Sequence, residues 1–128
     1  RALSWGAQAA QLGTAFVGCP ESAADAAYRA RLSQGGETVM TPVISGRPAR
    51  CLSNSFTDWG AGVTVDAVAA YPRAYDLGKA LNAAAKAAGQ TGYGAQWSGM
   101  GASRARAMPV SRLMAALADE LAAFRSAP

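Results

Sequence analysis

Gln11-Leu12-Gly13-Thr14-Ala15-Phe16 reads as the end of a short apolar strand, over Ala9 to Phe16, that runs into a glycine. A loop with Cys19, Pro20, Glu21 and Ser22 follows. Ser22-Ala23-Ala24-Asp25 then resembles a capping box for an alanine-rich helix ending near Ser33. Glycine at a strand end lets an oxyanion come close to backbone N–H groups, and a helix start beside it is a common way to hold phosphate. An apolar strand needs a neighbour for its backbone groups. Only Arg1 to Trp5, read as the last turn of a helix ended by Gly6, precedes it. The segment therefore reads as the tail end of a larger protein, with its strand paired to polypeptide outside these residues.

Working outward, Gln34-Gly35-Gly36 breaks the chain. The β-branched set Thr38, Val39, Thr41, Val43 and Ile44 predicts a strand over Glu37 to Ile44. Ser45-Gly46-Arg47-Pro48 turns the chain, Arg50 to Phe56 reads as a short helix, and Asp58 to Val65 as glycine-containing loop. Pro72 suits the first turn of a helix that stops at Gly89, with Ala74, Leu77, Leu81, Ala84, Ala85 and Ala88 on one side. Pro109 opens a last helix, whose stripe Val110, Leu113, Met114, Leu117, Leu121 and Phe124 reads as core packing. Strand and helices in this order, joined by long glycine-rich loops, predict a mixed α/β fold.

The 128 residues suit one domain. Apolar residues make up 51% of the chain, but many are alanine, so the expected core is thin. Residues of charged type make up only 16%, and the net charge of +4 is scattered, densest at Arg104 and Arg106. That lacks the basic stripe with interleaved aromatics of a nucleic-acid binder, and suits a small anionic ligand or a cofactor phosphate. No apolar run is long enough to span a membrane, and no signal peptide stands at the front. Cys19 and Cys51 have no metal-ligand spacing, so no metal is expected. They read as free thiols of a cytoplasmic protein. The chain has no histidine, which excludes a Ser-His or Cys-His nucleophile within it.

Four stretches carry chemistry. Gln11 to Thr14 offers backbone N–H groups and a hydroxyl to phosphate, or is an ordinary strand-to-loop glycine. Tyr71, Tyr75 and Lys79 share one ridge at i+4 spacing, which gives an anion receptor or an amphipathic flank with a snorkelling lysine. Gln96-Trp97-Ser98-Gly99-Met100-Gly101-Ala102 permits close approach to a flat ring, or is a tight turn around a buried tryptophan. Ser45-Gly46-Arg47-Pro48-Ala49-Arg50 clamps a carboxylate or phosphate with two arginines, or ties its own loop down.

In this order the four stretches resemble the C-terminal part of the class I nitronate monooxygenases, also called 2-nitropropane dioxygenases, over essentially the whole chain. Gln11 to Phe16 with Cys19 to Ser22 is similar to the family's eighth barrel strand and the loop after it. Ser45-Gly46-Arg47-Pro48-Ala49-Arg50 is similar to its SGRxAR segment. Tyr71-Pro72, Tyr75-Asp76 and Lys79-Ala80 keep its spacing, and Gln96-Trp97-Ser98-Gly99 its Q-W-x-G segment.

The resemblance implies the last part of a (β/α)₈ barrel over residues 1–34 and a mostly helical substrate-binding domain over residues 35–128. It implies FMN as cofactor, contacted by Gln11, Leu12, Gly13 and Thr14, chiefly at its phosphate. Tyr71, Tyr75 and Lys79 would line the pocket of a small anionic substrate. The implied reaction is oxidation of alkyl nitronates such as propionate 3-nitronate with O₂, to a carbonyl compound and nitrite or nitrate. The family's histidine has no counterpart here, so the resemblance names no catalytic residue. Met100 stands where the family usually has glutamine. A barrel needs roughly 250 residues, so an N-terminal barrel segment is the partner this chain implies. An NAD(P)H:quinone oxidoreductase on the same scaffold is the nearest alternative. A helical interaction module is another, supported by the stripe from Val110 to Phe124.

Overall fold

The computed structural model describes residues 2–126. Element order is α1 (Thr14–Val17), α2 (Ala26–Gln34), β1 (Thr38–Thr41), β2 (Ala49–Leu52), α3 (Ser55–Trp59), α4 (Arg73–Ala87) and α5 (Val110–Ser126), with single 3₁₀ turns between them. The mixed α/β class holds. The helix end before Gly6 is a 3₁₀ turn, Leu3–Trp5, closed by Gly6 at a positive φ of 88°.

The expected strand over Ala9 to Phe16 does not form. Residues 9–13 have no regular structure, and Thr14–Val17 is a single helical turn. Of residues 9–16 only Thr14 and Phe16 are good β-formers, and a strand also needs a second strand to take up its N–H and C=O groups. Among the described residues the one sheet pairs β1 with β2. The α2 cap also differs. Asp25, not Ser22, accepts the Tyr28 N–H at 2.8 Å, while the Ser22 hydroxyl donates to the Val17 carbonyl.

β1 lies within its expected span, but β2 (Ala49–Leu52) takes in Arg50 to Leu52, where a helix over Arg50 to Phe56 was expected. It pairs antiparallel with β1, Val39 opposite Cys51 and Met40 opposite Arg50. The Ser45-Gly46-Arg47-Pro48 turn lies between the two strands, so the hairpin partner decides the conformation. The helix comes later, in α3. Asn54 caps it, accepting from the Phe56 and Thr57 N–H groups while the Thr57 hydroxyl returns to the Asn54 backbone.

Two small cores form. One joins Val43, Ile44, Cys51 and Phe56, with Val68, Tyr93 and Trp97 against it. The other joins Leu32, Leu52 and Ala102, with Val17 and Tyr28 against it. Adjacent β2 residues Cys51 and Leu52 point to opposite faces and serve one core each.

Helix α4 packs through its smallest residues. A Cβ on Gly78 would lie 2.9 Å from the Ile44 carbonyl oxygen, so the helix axis comes as close as it does only because Gly78 has none. Ala74 and Gly78 are buried, while Leu77 and Leu81 remain exposed. The expected core stripe of α5 is mostly uncovered. Leu113 is buried, but Met114, Leu121 and Phe124 are exposed. Helical spacing fixes which face is apolar, and it does not supply the surface that covers it.

Candidate functional site

Tyr71, Tyr75 and Lys79 do share one ridge, as their spacing implies. The Tyr71 and Tyr75 rings stack with centroids 6.4 Å apart and planes 24° from parallel. The Lys79 ammonium lies 4.7 Å from the Tyr75 ring centre. It also pairs with Asp76 one turn earlier, at 2.9 Å. That bond to Asp76 is the main cause that raises the Lys79 pKa above the ordinary lysine value, so the group stays cationic.

A fourth residue completes the row. The Arg47 guanidinium carbon lies 4.4 Å from the Tyr71 ring centre, a cation–π contact at the end opposite Lys79. Gly46 makes this possible. Its φ of +80° suits glycine, and a Cβ there would stand 2.5 Å from both the Ala69 carbonyl oxygen and the Tyr71 nitrogen. The turn therefore rests directly on the backbone leading to Tyr71. The Ser45 hydroxyl, which donates to the Arg47 carbonyl, holds it from within. The two arginines of this segment part company. Arg50 donates to the carbonyl and hydroxyl of Thr38 on β1 and so ties its own hairpin down.

Gln11, Leu12, Gly13 and Thr14 line one side of a cleft of about 390 Å³, with Gly101, Arg104 and Ala105 opposite. A Cβ on Gly13 would meet nothing within 4 Å, so the backbone there faces open space. The Thr14 hydroxyl oxygen accepts the Gly99 N–H at 2.9 Å. The first and third motifs thus meet. A second cleft beside it is lined by Gly13, Thr14, Tyr28, Arg50, Trp97 and Gly99. Trp97 is half-buried between this cleft and the first core, rather than simply enclosed in a turn. The Tyr28 hydroxyl donates to its carbonyl. Burial pushes the Tyr28 phenol up to about 12, which keeps it neutral. Met100 is almost fully exposed.

Arg104 is the residue here that motif reading passed over, although its basic cluster was visible. The cysteines are free and buried. Burial pushes Cys51 up to about 11, and burial followed by the nearby Glu21 raises Cys19, so both remain protonated thiols. Tyr71, Tyr75 and Lys79 on the one hand, and Gln11 to Thr14 on the other, line separate surfaces. Tyr75 shares a cleft with Tyr28, Ala95 and Gln96. Tyr28 and Ala95 also border the Thr14–Trp97 cleft, so the Tyr75 part of the ridge lies toward Thr14.

Among the described residues no helix is long and apolar enough to cross a membrane. The family model for nitronate monooxygenase matches residues 1–120. A nitronate monooxygenase of Paraburkholderia phytofirmans is 54% identical over 94% of this chain and 33% of its own length. One of Pseudomonas aeruginosa is 46% identical over 94% of this chain and 35% of its own. A solved nitroalkane oxidase of Streptomyces ansochromogenes superposes with a TM-score of 0.83 at 40% identity, over 97% of this chain and 35% of that one. The chain thus spans about a third of the length of the relatives it matches. The motif likeness to the family's C-terminal part holds, and with it the conclusion that the chain belongs to the nitronate monooxygenase family.

Proposed function

We propose that the complete protein oxidises alkyl nitronates, propionate 3-nitronate among them, with O₂ to a carbonyl compound and nitrite or nitrate, using FMN. The observation that carries this reading is the row of two stacked phenols flanked by Lys79. A nitronate is a planar anion with its charge on two oxygens. Two phenol O–H groups and an ammonium supply three contacts of two kinds to it without burying a full ion pair.

The residues present fit one end of FMN. Gly13 leaves its backbone accessible, and Arg104 across the cleft provides a cation for a phosphate. The Thr14 oxygen is already an acceptor for Gly99, so its own hydrogen is free to donate to a phosphate oxygen. In this reading residues 1–34 belong to the cofactor-holding part and residues 35–128 to the substrate-holding part. The redox exchange with nitronate and O₂ is what FMN supplies when bound. The chain's own work is to hold the anion. Lys79, kept protonated by Asp76, offsets its charge, and Tyr71 and Tyr75 donate to its oxygens. A cytoplasmic location belongs to the same proposal, on the two unpaired cysteines.

Oxygen uptake by the complete flavin-loaded protein on adding an alkyl nitronate tests the reading. Consumption of O₂ with release of nitrite or nitrate is expected. Anaerobic bleaching of the flavin by NADH, with no nitronate-dependent O₂ uptake, would assign the protein to quinone reduction instead.

A further inference from the structure

Arg47 is built into the ridge, yet among the described residues its guanidinium N–H groups have no hydrogen-bond partner. Among the described residues four guanidinium groups are tied to the fold, whereas those of Arg73, Arg104, Arg112 and Arg125 make no such bond and, unlike Arg47, have no ring beneath them. Arg29 donates to the Ala24 carbonyl, Arg31 to the Ser53 carbonyl, Arg50 to Thr38, and Arg106 to Glu120. The Arg47 guanidinium has only the Tyr71 ring under it. Contact through its face leaves the N–H edge for ligands. That edge is a fork matched to two oxygens of one planar group. Gly46 and Ser45 fix the turn that carries it, so the arginine backbone is held before any ligand arrives.

The two ends of the ridge differ in direction. The Tyr75 part lies toward Thr14 and Trp97, through the residues shared between the clefts. Arg47 stands beyond Tyr71, at the other end. A substrate whose reacting carbon faces the cofactor side would leave its far end there. The charges differ as well. Lys79 already has a carboxylate beside it, whereas Arg47 forms no ion pair with any of the described residues.

We propose that Arg47 is a specificity-determining residue, which receives the carboxylate tail of a nitronate substrate while Tyr75 and Lys79 hold the nitronate group. This rests on the reading of the ridge as the substrate site. It makes the preferred substrate a nitronate with a second anionic end, as propionate 3-nitronate has.

The test uses the complete flavin-loaded enzyme with two substrates, propionate 3-nitronate and propyl 1-nitronate, which lacks the carboxylate. Arg47→Gln is expected to raise KM for the first about ten- to hundredfold, with kcat nearly unchanged, and to leave KM for the second within about twofold. Arg47→Lys keeps the charge and loses the fork, so it should fall between. The carboxylate-free substrate reports on folding within the same preparation. Equal losses on both substrates would overturn the tail assignment while leaving the ridge as the substrate site, and so would unchanged kinetics in Arg47→Gln if Lys79→Met still raises KM. Unchanged kinetics in both variants would overturn the ridge reading itself.

Discussion

The backbone N–H of Gly99 donates to the hydroxyl oxygen of Thr14 across 85 residues of chain, at 2.9 Å. That single bond sets the glycine-rich segment against Gly13 and fixes the wall of the cleft proposed to take FMN. It leaves the Gly13 backbone open, from which a first prediction follows. Gly13→Val should cost the chain little stability, since the new Cβ meets nothing within 4 Å and the backbone φ of −109° suits valine. In the complete protein it should abolish most FMN retention, because the side chain takes the space a phosphate would enter. Flavin-to-protein ratio after purification, beside a melting curve of the flavin-free form, checks both halves. Full occupancy would refute the phosphate role.

Asp76 and Lys79 give a prediction of opposite signs. Asp76 competes with any anionic substrate for the Lys79 ammonium. Asp76→Asn should therefore lower KM for both nitronates severalfold, while Lys79→Met should raise both by about tenfold, the carboxylate of Asp76 then standing unpaired beside the site. Steady-state kinetics at constant ionic strength decides it. Parallel changes in the two variants would mean that the pair serves only helix α4.

Asn54 is buried and does three things at once. It caps α3, meets Thr57 in a reciprocal capping box, and donates from its side-chain nitrogen to the Gly94 carbonyl at 3.0 Å. Asn54→Ala should destabilise the complete protein by about 2 kcal/mol, from the lost cap and the orphaned carbonyl. Asn54→Asp keeps the cap acceptor and loses the donor, so it should fall between. Denaturant titration measures both, and a loss below about 0.5 kcal/mol for the alanine variant would show the cap to be dispensable.

Asp25 links pH to the junction of two helices. The Lys86 ammonium, at 2.6 Å, and then the Tyr28 N–H hold its carboxyl below the usual carboxylate range. A pKa depressed by folding means stability that is present above the unfolded value and lost as pH falls through the folded one. Acidification below about pH 4 should therefore loosen the α2–α4 contact. Asp25→Asn, which keeps a capping oxygen, should flatten that acid dependence with only a small loss at neutral pH, since the pair is half-exposed. Melting temperatures of both proteins across the acid range test it. Superimposable pH profiles would clear Asp25 of the effect.

What could be read from residue order, and what could not, divides along sequence distance. Helix α4 was legible because Pro72 and Gly89 bracket a single local pattern, and the Tyr71–Tyr75–Lys79 ridge came with it. Strand β2 was not, since Arg50 to Phe56 has no local pattern that outweighs a hairpin partner at Thr38–Thr41. The strand expected at Ala9 to Phe16 fails on two counts, with few β-forming residues and no partner strand among the described residues. Arg47 was legible as an arginine beside a turn, with a clamp and a tied-down loop equally open. Its seat on Tyr71 depends on the Gly46 contact with Ala69 and Tyr71, which no spacing rule reports.

Trp97 gives the molecule a built-in optical gauge. Trp5 and Trp59 are largely exposed, so a soluble quencher such as iodide should extinguish their emission first. The shielded, bluer emission that survives should come from the half-buried Trp97, which borders the same cleft as Gly13 and Thr14. A flavin seated there would accept that light by energy transfer. Flavin occupancy of that cleft, if the proposal holds, thus becomes a fluorescence titration that needs no label, no substrate and no turnover.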